Sequence, residues 1–181
     1  MSTRAKEREF RQELQEARNL HYFDGFERLW NVLVRLGLEE PGSNEGERAA
    51  ALRARLSERR VREILANPAV DRLLNLDPPL ETVLIHPQER LRTSEARCAI
   101  EQVQRFRGAE PLQALNALCR LLLFIRNKRA HGFKTPDGSR DQEILKPAAE
   151  ILGVVADACL DAHFQADQGN LGTSGMTPSE G

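Results

Sequence analysis

The sequence has few aromatic residues, few cysteines and no long apolar stretch, and each shortage narrows the class of protein. Aromatic residues make up 5% of the 181 residues, and there are three cysteines. An odd number of widely spaced cysteines, at positions 98, 119 and 159, predicts neither a disulfide framework nor a zinc site. No uncharged stretch approaches the ~18–20 residues that cross a bilayer, and residues 1–10 are charged. We therefore expect a cytoplasmic protein that uses no membrane contact, no metal and no cofactor.

Charge and composition point to one helical domain. The formal net charge of −1 argues against a protein that coats nucleic acid, although it leaves room for a local basic patch. The hydrophobic fraction of 40% is enough for one core. Leu, Ala, Arg and Glu are the commonest residues, as is typical of helices. We predict an all-α bundle of about five to seven helices over residues 1–166. Residues 167–181, rich in Gly, Ser and Thr, are predicted to be a disordered tail.

Periodicity and capping residues place the helices. A first helix is expected from Ser2 to about Leu20, and a capping box at Asp24 to Glu27 then opens a second. The alternative is one long helix bent near Gly25. Further helices are predicted over 47–66, 68–74, 90–107, 111–131 and from 141 onward. An irregular segment bounded by prolines is expected over 77–87, with a short strand over 80–85 as the alternative.

The helix over 111–131 changes character abruptly at its end. Its apolar residues recur at spacings of three and four and are expected to be buried: Leu112, Leu115, Leu118, Leu122 and Ile125. A polar, cationic cluster follows from Arg126 to His131. Gly132 favours the conformation that ends a helix, so His131 is predicted to lie in the final turn or beside it.

Three residues of this cluster are candidates for chemistry. Asn127 and His131 are four positions apart and share a helix face, so the amide can orient the imidazole. Arg126 and His131 are five apart, about 140° around the axis. A long Arg side chain or a loosened last turn can still bring both to one cleft.

The run from Arg126 to His131 resembles the R-[N/D/H]-x-x-x-H signature of the HEPN superfamily. The resemblance covers about residues 94–164, and the helical N-terminal part, 1–93, has no such likeness. It implies a small helical bundle and metal-independent ribonuclease activity. It also implies that Arg126 and His131 carry the chemistry, that Asn127 assists, and that two protomers pair so that their motifs face one cleft.

Further basic residues are candidates for contacts with substrate phosphates: Lys128, Arg129, Lys134, Arg105 and Arg107. The last two lie on the helix expected to pair with the motif helix. An alternative is that Arg126 and Arg129 complement the helix dipole and His131 is a solvated cap residue.

The resemblance implies an endoribonuclease that cuts RNA at a homodimer cleft, as a toxin or antiphage effector with an antitoxin or regulatory partner. Two alternatives remain open. One is a catalytically silent HEPN-like module that binds RNA, nucleotide or a partner protein. The other is a structural subunit in which the motif is buried.

Overall fold

The computed structural model describes the backbone of residues 2–76, 90–131 and 139–171, and the side chains of residues 2–76, 94–127 and 141–165. Over these residues the chain forms eight α-helices and no β-strand, which confirms the all-α prediction. The helices are α1 (Thr3–Asn19), α2 (Tyr22–Gly37), α3 (Glu45–Ala54), α4 (Glu58–Leu65), α5 (Pro68–Leu74), α6 (Arg90–Phe106), α7 (Pro111–His131) and α8 (Ser139–Leu171). The number exceeds the expected five to seven.

The first two helices are separate. The Ser2 hydroxyl accepts a hydrogen bond from the Ala5 amide at 3.3 Å, as predicted for an N-cap. The helical backbone stops after α1, and a new helix, α2, begins at Tyr22. The prediction of a single bent helix is therefore wrong. The capping box is also wrong, because Asp24 to Glu27 lie inside α2. Gly25 allows the two helices to approach closely, since a Cβ atom there would come within 2.8 Å of the Ala17 carbonyl oxygen.

The single helix predicted over 47–66 is in fact two helices, which adds one helix to the expected number. A break follows α3, and Ser57 caps the start of α4 by accepting a hydrogen bond from the Arg60 amide at 3.3 Å. Leu56 is buried at the break. The capping hydroxyl and the apolar anchor together explain why the chain turns there.

The starts of α5 and α8 lie close to the positions predicted from the sequence. Pro68 begins α5, and the Asn67 side chain accepts a hydrogen bond from the Ala69 amide at 2.8 Å. α8 begins at Ser139, so Asp141 lies in its first turn rather than at its cap. α8 reaches Leu171 and covers the first five residues of the segment 167–181. The irregular segment over 77–87 and residues 172–181 lie outside the described residues.

α8 is the central helix. It packs against α1, α2, α3, α4, α5 and α7. Its apolar stripe is buried: Ile144, Leu145, Ala148, Ile151, Leu152, Val155, Ala158 and Cys159. The helices of the first half therefore cover this stripe and share one core with the second half.

α6 and α7 form an antiparallel hairpin on the other side of the core. Four of the five predicted positions of α7 are fully buried: Leu115, Leu118, Leu122 and Ile125. Leu112 is instead 39% exposed, because it lies in the first turn, where the hairpin begins. Along the described part of the chain, no helix has the combination of length and apolarity needed to span a membrane.

Candidate active site

The motif lies at the C-terminal end of α7, which stays α-helical through His131. The loosened last turn is therefore not adopted. At 1.5 Å and 100° per residue, the Cα atoms of Arg126 and His131 are about 7.5 Å apart along the axis and about 140° apart around it. Asn127 lies on the same face as His131. The backbone thus places Arg126 and His131 on different faces of one helix end.

Arg126 is held by two residues of α2. Its Nε and Nη2 atoms each donate to Oε1 of Glu27 at 3.4 Å. Its guanidinium carbon lies 5.2 Å from the centroid of the Trp30 ring, in cation–π contact. We call these three residues the Arg126 cluster. The arrangement fixes the plane of the guanidinium while leaving 30% of the side chain exposed.

The ion pair in this cluster is loose. Charge-assisted N–H···O contacts are usually ~2.7–2.9 Å long, and both contacts to Glu27 are longer. Elsewhere in the protein Arg35 meets Glu13 at 2.5 and 2.6 Å. An anion that reaches Arg126 can therefore make shorter hydrogen bonds than Glu27 makes.

The other motif residues lie toward solvent or outside the described side chains. Asn127 is exposed, and Leu123, four residues earlier on the same face, is 37% exposed. The side chains of His131, Lys128 and Arg129, and all of Lys134, lie outside the described residues. The exposed face of α7 next to Arg126 is thus partly apolar and partly polar.

Arg105 and Arg107 lie near the opposite end of the hairpin. Arg120 on α7 donates to Gln102 on α6, so in an antiparallel pair Arg105 is level with about residue 117. That is about 13 Å along the axis from Arg126. The Arg105 guanidinium packs on Phe106, and Arg107 binds the Asp71 carboxylate and the Leu65 carbonyl. This contact with Arg107 holds the pKa of Asp71 below its usual range. The structure does not bring this pair of arginines to Arg126.

A second cluster of charged groups lies where the end of α2 meets α8. His163 Nδ1 and Glu40 Oε1 are 2.8 Å apart, and His163 Nε2 lies 3.3 Å from Glu39 Oε2. Arg55 forms an ion pair with Glu40 at 2.8 Å, and the Lys6 ammonium donates to Glu39 at 3.0 Å. We call these five residues the Glu40 cluster.

The Glu40 cluster is closed to substrate. The Glu40 side chain is fully buried and His163 is nearly so. The paired Lys6 is the main reason that the pKa of Glu39 lies below its usual range. The cluster joins α1, α2, α3 and α8. Because no face of the histidine is open to a reactant, it is a structural element rather than a catalytic one.

Glu27 and Trp30 are the site residues that sequence reasoning missed. The sequence pattern places Glu27 in a capping box and gives neither residue a role in the site. The available signal was their spacing: the two are three positions apart on α2, as on one helix face, and Trp30 is the only tryptophan of the chain. The sequence does not reveal that this face meets α7.

No group of three or more His, Cys, Asp or Glu side chains able to hold a metal ion occurs among the described residues. Comparison of the chain with protein-family models, curated proteins and solved structures finds no match.

Proposed function

We propose that this protein is a metal-independent endoribonuclease of HEPN type, acting as a toxin or antiphage effector. The observation that carries the proposal is the Arg126 cluster. It presents an oriented, loosely paired, partly exposed guanidinium five residues before a histidine that ends the same helix. A planar cation of this kind suits the oxygens of a phosphodiester.

The reaction needs proton transfer and charge stabilisation. A base takes the proton of the RNA 2′-hydroxyl, whose oxygen then forms a bond to the adjacent phosphorus. The bond from phosphorus to the 5′-oxygen breaks, and an acid protonates that leaving oxygen. The products are a 2′,3′-cyclic phosphate and a free 5′-hydroxyl. His131 suits the proton transfers because imidazole titrates near neutrality, and Arg126 suits the charge that builds on the phosphoryl oxygens.

A homodimer supplies what one protomer lacks. The mechanism calls for both a base and an acid, and two copies of His131 in one cleft provide them. The face of α7 that carries Asn127 also carries the half-exposed Leu123, and Leu112 is exposed nearer the start of the helix. These apolar side chains favour this face as the contact between protomers. Specific activity is then expected to fall on dilution below the dimer dissociation constant.

The test is RNA cleavage in EDTA with matched variants. Arg126→Ala and His131→Ala are compared with Arg120→Ala, an exposed arginine on the same helix, and His21→Ala, an exposed histidine. We expect a loss of about 10²–10⁴-fold in the first pair and little change in the controls. Products should carry cyclic phosphate ends, and RNA with 2′-O-methyl groups at every position should not be cut.

Cleavage by His131→Ala at the rate of the unaltered protein would overturn the catalytic assignment.

A second candidate is the catalytically silent module, favoured by the negative charge that Glu27 already places beside Arg126. It predicts that all five proteins bind RNA without cutting it, and that only Arg126→Ala weakens the binding.

A further inference from the structure

A small cavity, partly open to solvent, adjoins the Arg126 cluster. It has a volume of about 50 Å³ and lies between α2, α3, α7 and α8. Its wall is mainly apolar and includes Trp30, Leu33, Leu52, Leu122 and Val155. A single water molecule needs only ~10–15 Å³, whereas a cavity that holds benzene measures ~150 Å³. The enclosed part therefore takes a few heavy atoms, and a larger occupant would extend through the open side of the cavity.

Trp30, which lines the cavity, carries a buried hydrogen-bond donor. Trp30 Nε1 is buried and has no hydrogen-bond partner among the described residues. A buried polar group left in this state costs about 1–3 kcal/mol and calls for an explanation. An acceptor atom on a molecule inside the cavity would satisfy it.

The remaining polar groups of the wall are two thiols and two side chains of opposite charge, Arg53 and the exposed Glu45. Burial raises the pKa of the Cys119 thiol, and burial together with the neighbouring Cys119 raises the pKa of Cys159 to about 12. Both thiols therefore stay protonated and act as small apolar groups. Arg53 already donates to the Asn116 side chain at 2.8 Å. An uncharged occupant fits this lining better than a charged one.

We propose that this cavity binds a small, uncharged, mainly apolar molecule whose single acceptor atom receives the Trp30 N–H. Trp30 contacts Arg126 as well as the cavity. A bound molecule would therefore touch the same indole that orients the guanidinium. The cavity is an effector site next to the candidate active site, and its existence does not depend on RNA cleavage.

The single tryptophan makes the test direct, because the protein has one indole N–H resonance. We would titrate the isotopically labelled protein with cyclopentanone and follow that resonance by NMR. Cyclopentane, which has a similar size but no acceptor atom, is the matched probe. We expect a saturable downfield shift with cyclopentanone, as for a newly formed hydrogen bond, and none with cyclopentane.

A blocked cavity provides the second arm. Ala49 lines the cavity from α3, whereas its neighbour Ala50 is exposed, so Ala49→Leu and Ala50→Leu make the same change inside and outside. Ala49→Leu is expected to weaken cyclopentanone binding at least about tenfold, and Ala50→Leu to leave it unchanged. The proposal is overturned if the indole resonance does not move, moves without saturating, or moves equally in both variants.

Discussion

The Arg126 cluster and the Glu40 cluster are built from similar groups, an arginine beside a carboxylate and an aromatic ring, yet they differ in packing. In the first, the contacts are 3.4 Å long and both charged side chains are about one-third exposed. In the second, a fully buried carboxylate meets histidine and arginine at 2.8 Å. The two clusters therefore share residue types and differ in exposure and contact length, and it is the exposed, loosely paired one that we propose as the active site.

The two clusters also differ in what their loss would change. Removing one partner of a buried ion pair lowers the free energy of unfolding strongly, because the other charge stays in the interior. Removing one partner of a partly exposed ion pair costs little stability, because water replaces the missing partner. Substitutions in the Glu40 cluster should therefore change the free energy of unfolding, and those in the Arg126 cluster should change binding and cleavage.

The largest effect is expected from His163→Ala. It removes the hydrogen-bonding ring beside the buried Glu40 carboxylate and should lower the free energy of unfolding by about 2–4 kcal/mol. Denaturant titration measures the change. RNA cleavage per folded molecule should remain the same.

The matched control is His21→Ala, at an exposed position, with an expected change within about 0.5 kcal/mol. A drop of less than about 0.5 kcal/mol for His163→Ala would show that the Glu40 cluster does not hold the helices together. Loss of cleavage with full stability would move His163 into the reaction.

Next in size is Arg126→Lys, which keeps the charge but loses the planar fork and its stacking on Trp30. We expect cleavage to fall about ten- to a hundredfold and the tryptophan emission to shift, with unfolding almost unchanged. Arg120→Lys on the same helix is the control. Full activity in Arg126→Lys would mean that charge alone is needed and that the stacking serves packing.

The helices were largely predictable because their signals are local. Pro68 and Pro111 begin helices where expected, and the buried stripes of α7 and α8 follow from apolar spacing. The break at Ser57 was missed because residues 47–66 contain no glycine or proline that would mark a helix end. A serine can cap a helix or lie inside one, and only packing decides which of these two roles Ser57 takes.

The candidate site was predictable only in part, because it combines one local motif with distant partners. The run from Arg126 to His131 is contiguous and could be read directly. Glu27 is 99 positions from Arg126, and the pairing of α2 with α7 depends on how both pack around α8. The register of the α6–α7 hairpin, which separates Arg105 from the motif, likewise appears only in three dimensions.

A smaller effect is expected from Glu27→Gln, which keeps the size of the side chain and removes the charge that competes with a phosphate. Affinity for a 2′-O-methyl RNA, which cannot be cut, should rise about two- to fivefold, as measured by fluorescence anisotropy. Glu101→Gln, an exposed residue of α6, controls for the change in net charge. Weaker binding in Glu27→Gln would instead assign Glu27 to positioning Arg126.

The smallest effect is expected at the rim of the Glu40 cluster, where Lys6 meets Glu39 in an exposed pair. Because Lys6 lowers the pKa of Glu39 in the folded protein, this pair stabilises the fold above the ordinary glutamate pKa of about 4.3. Its contribution is lost as the pH falls through the lower folded pKa. Lys6→Ala should therefore lower the free energy of unfolding by about 0.2–0.5 kcal/mol at pH 7 and by less at pH 3. Arg8→Ala, on the same helix, is the control, and an equal loss at both pH values would show that Lys6 acts through its hydrocarbon chain rather than its charge.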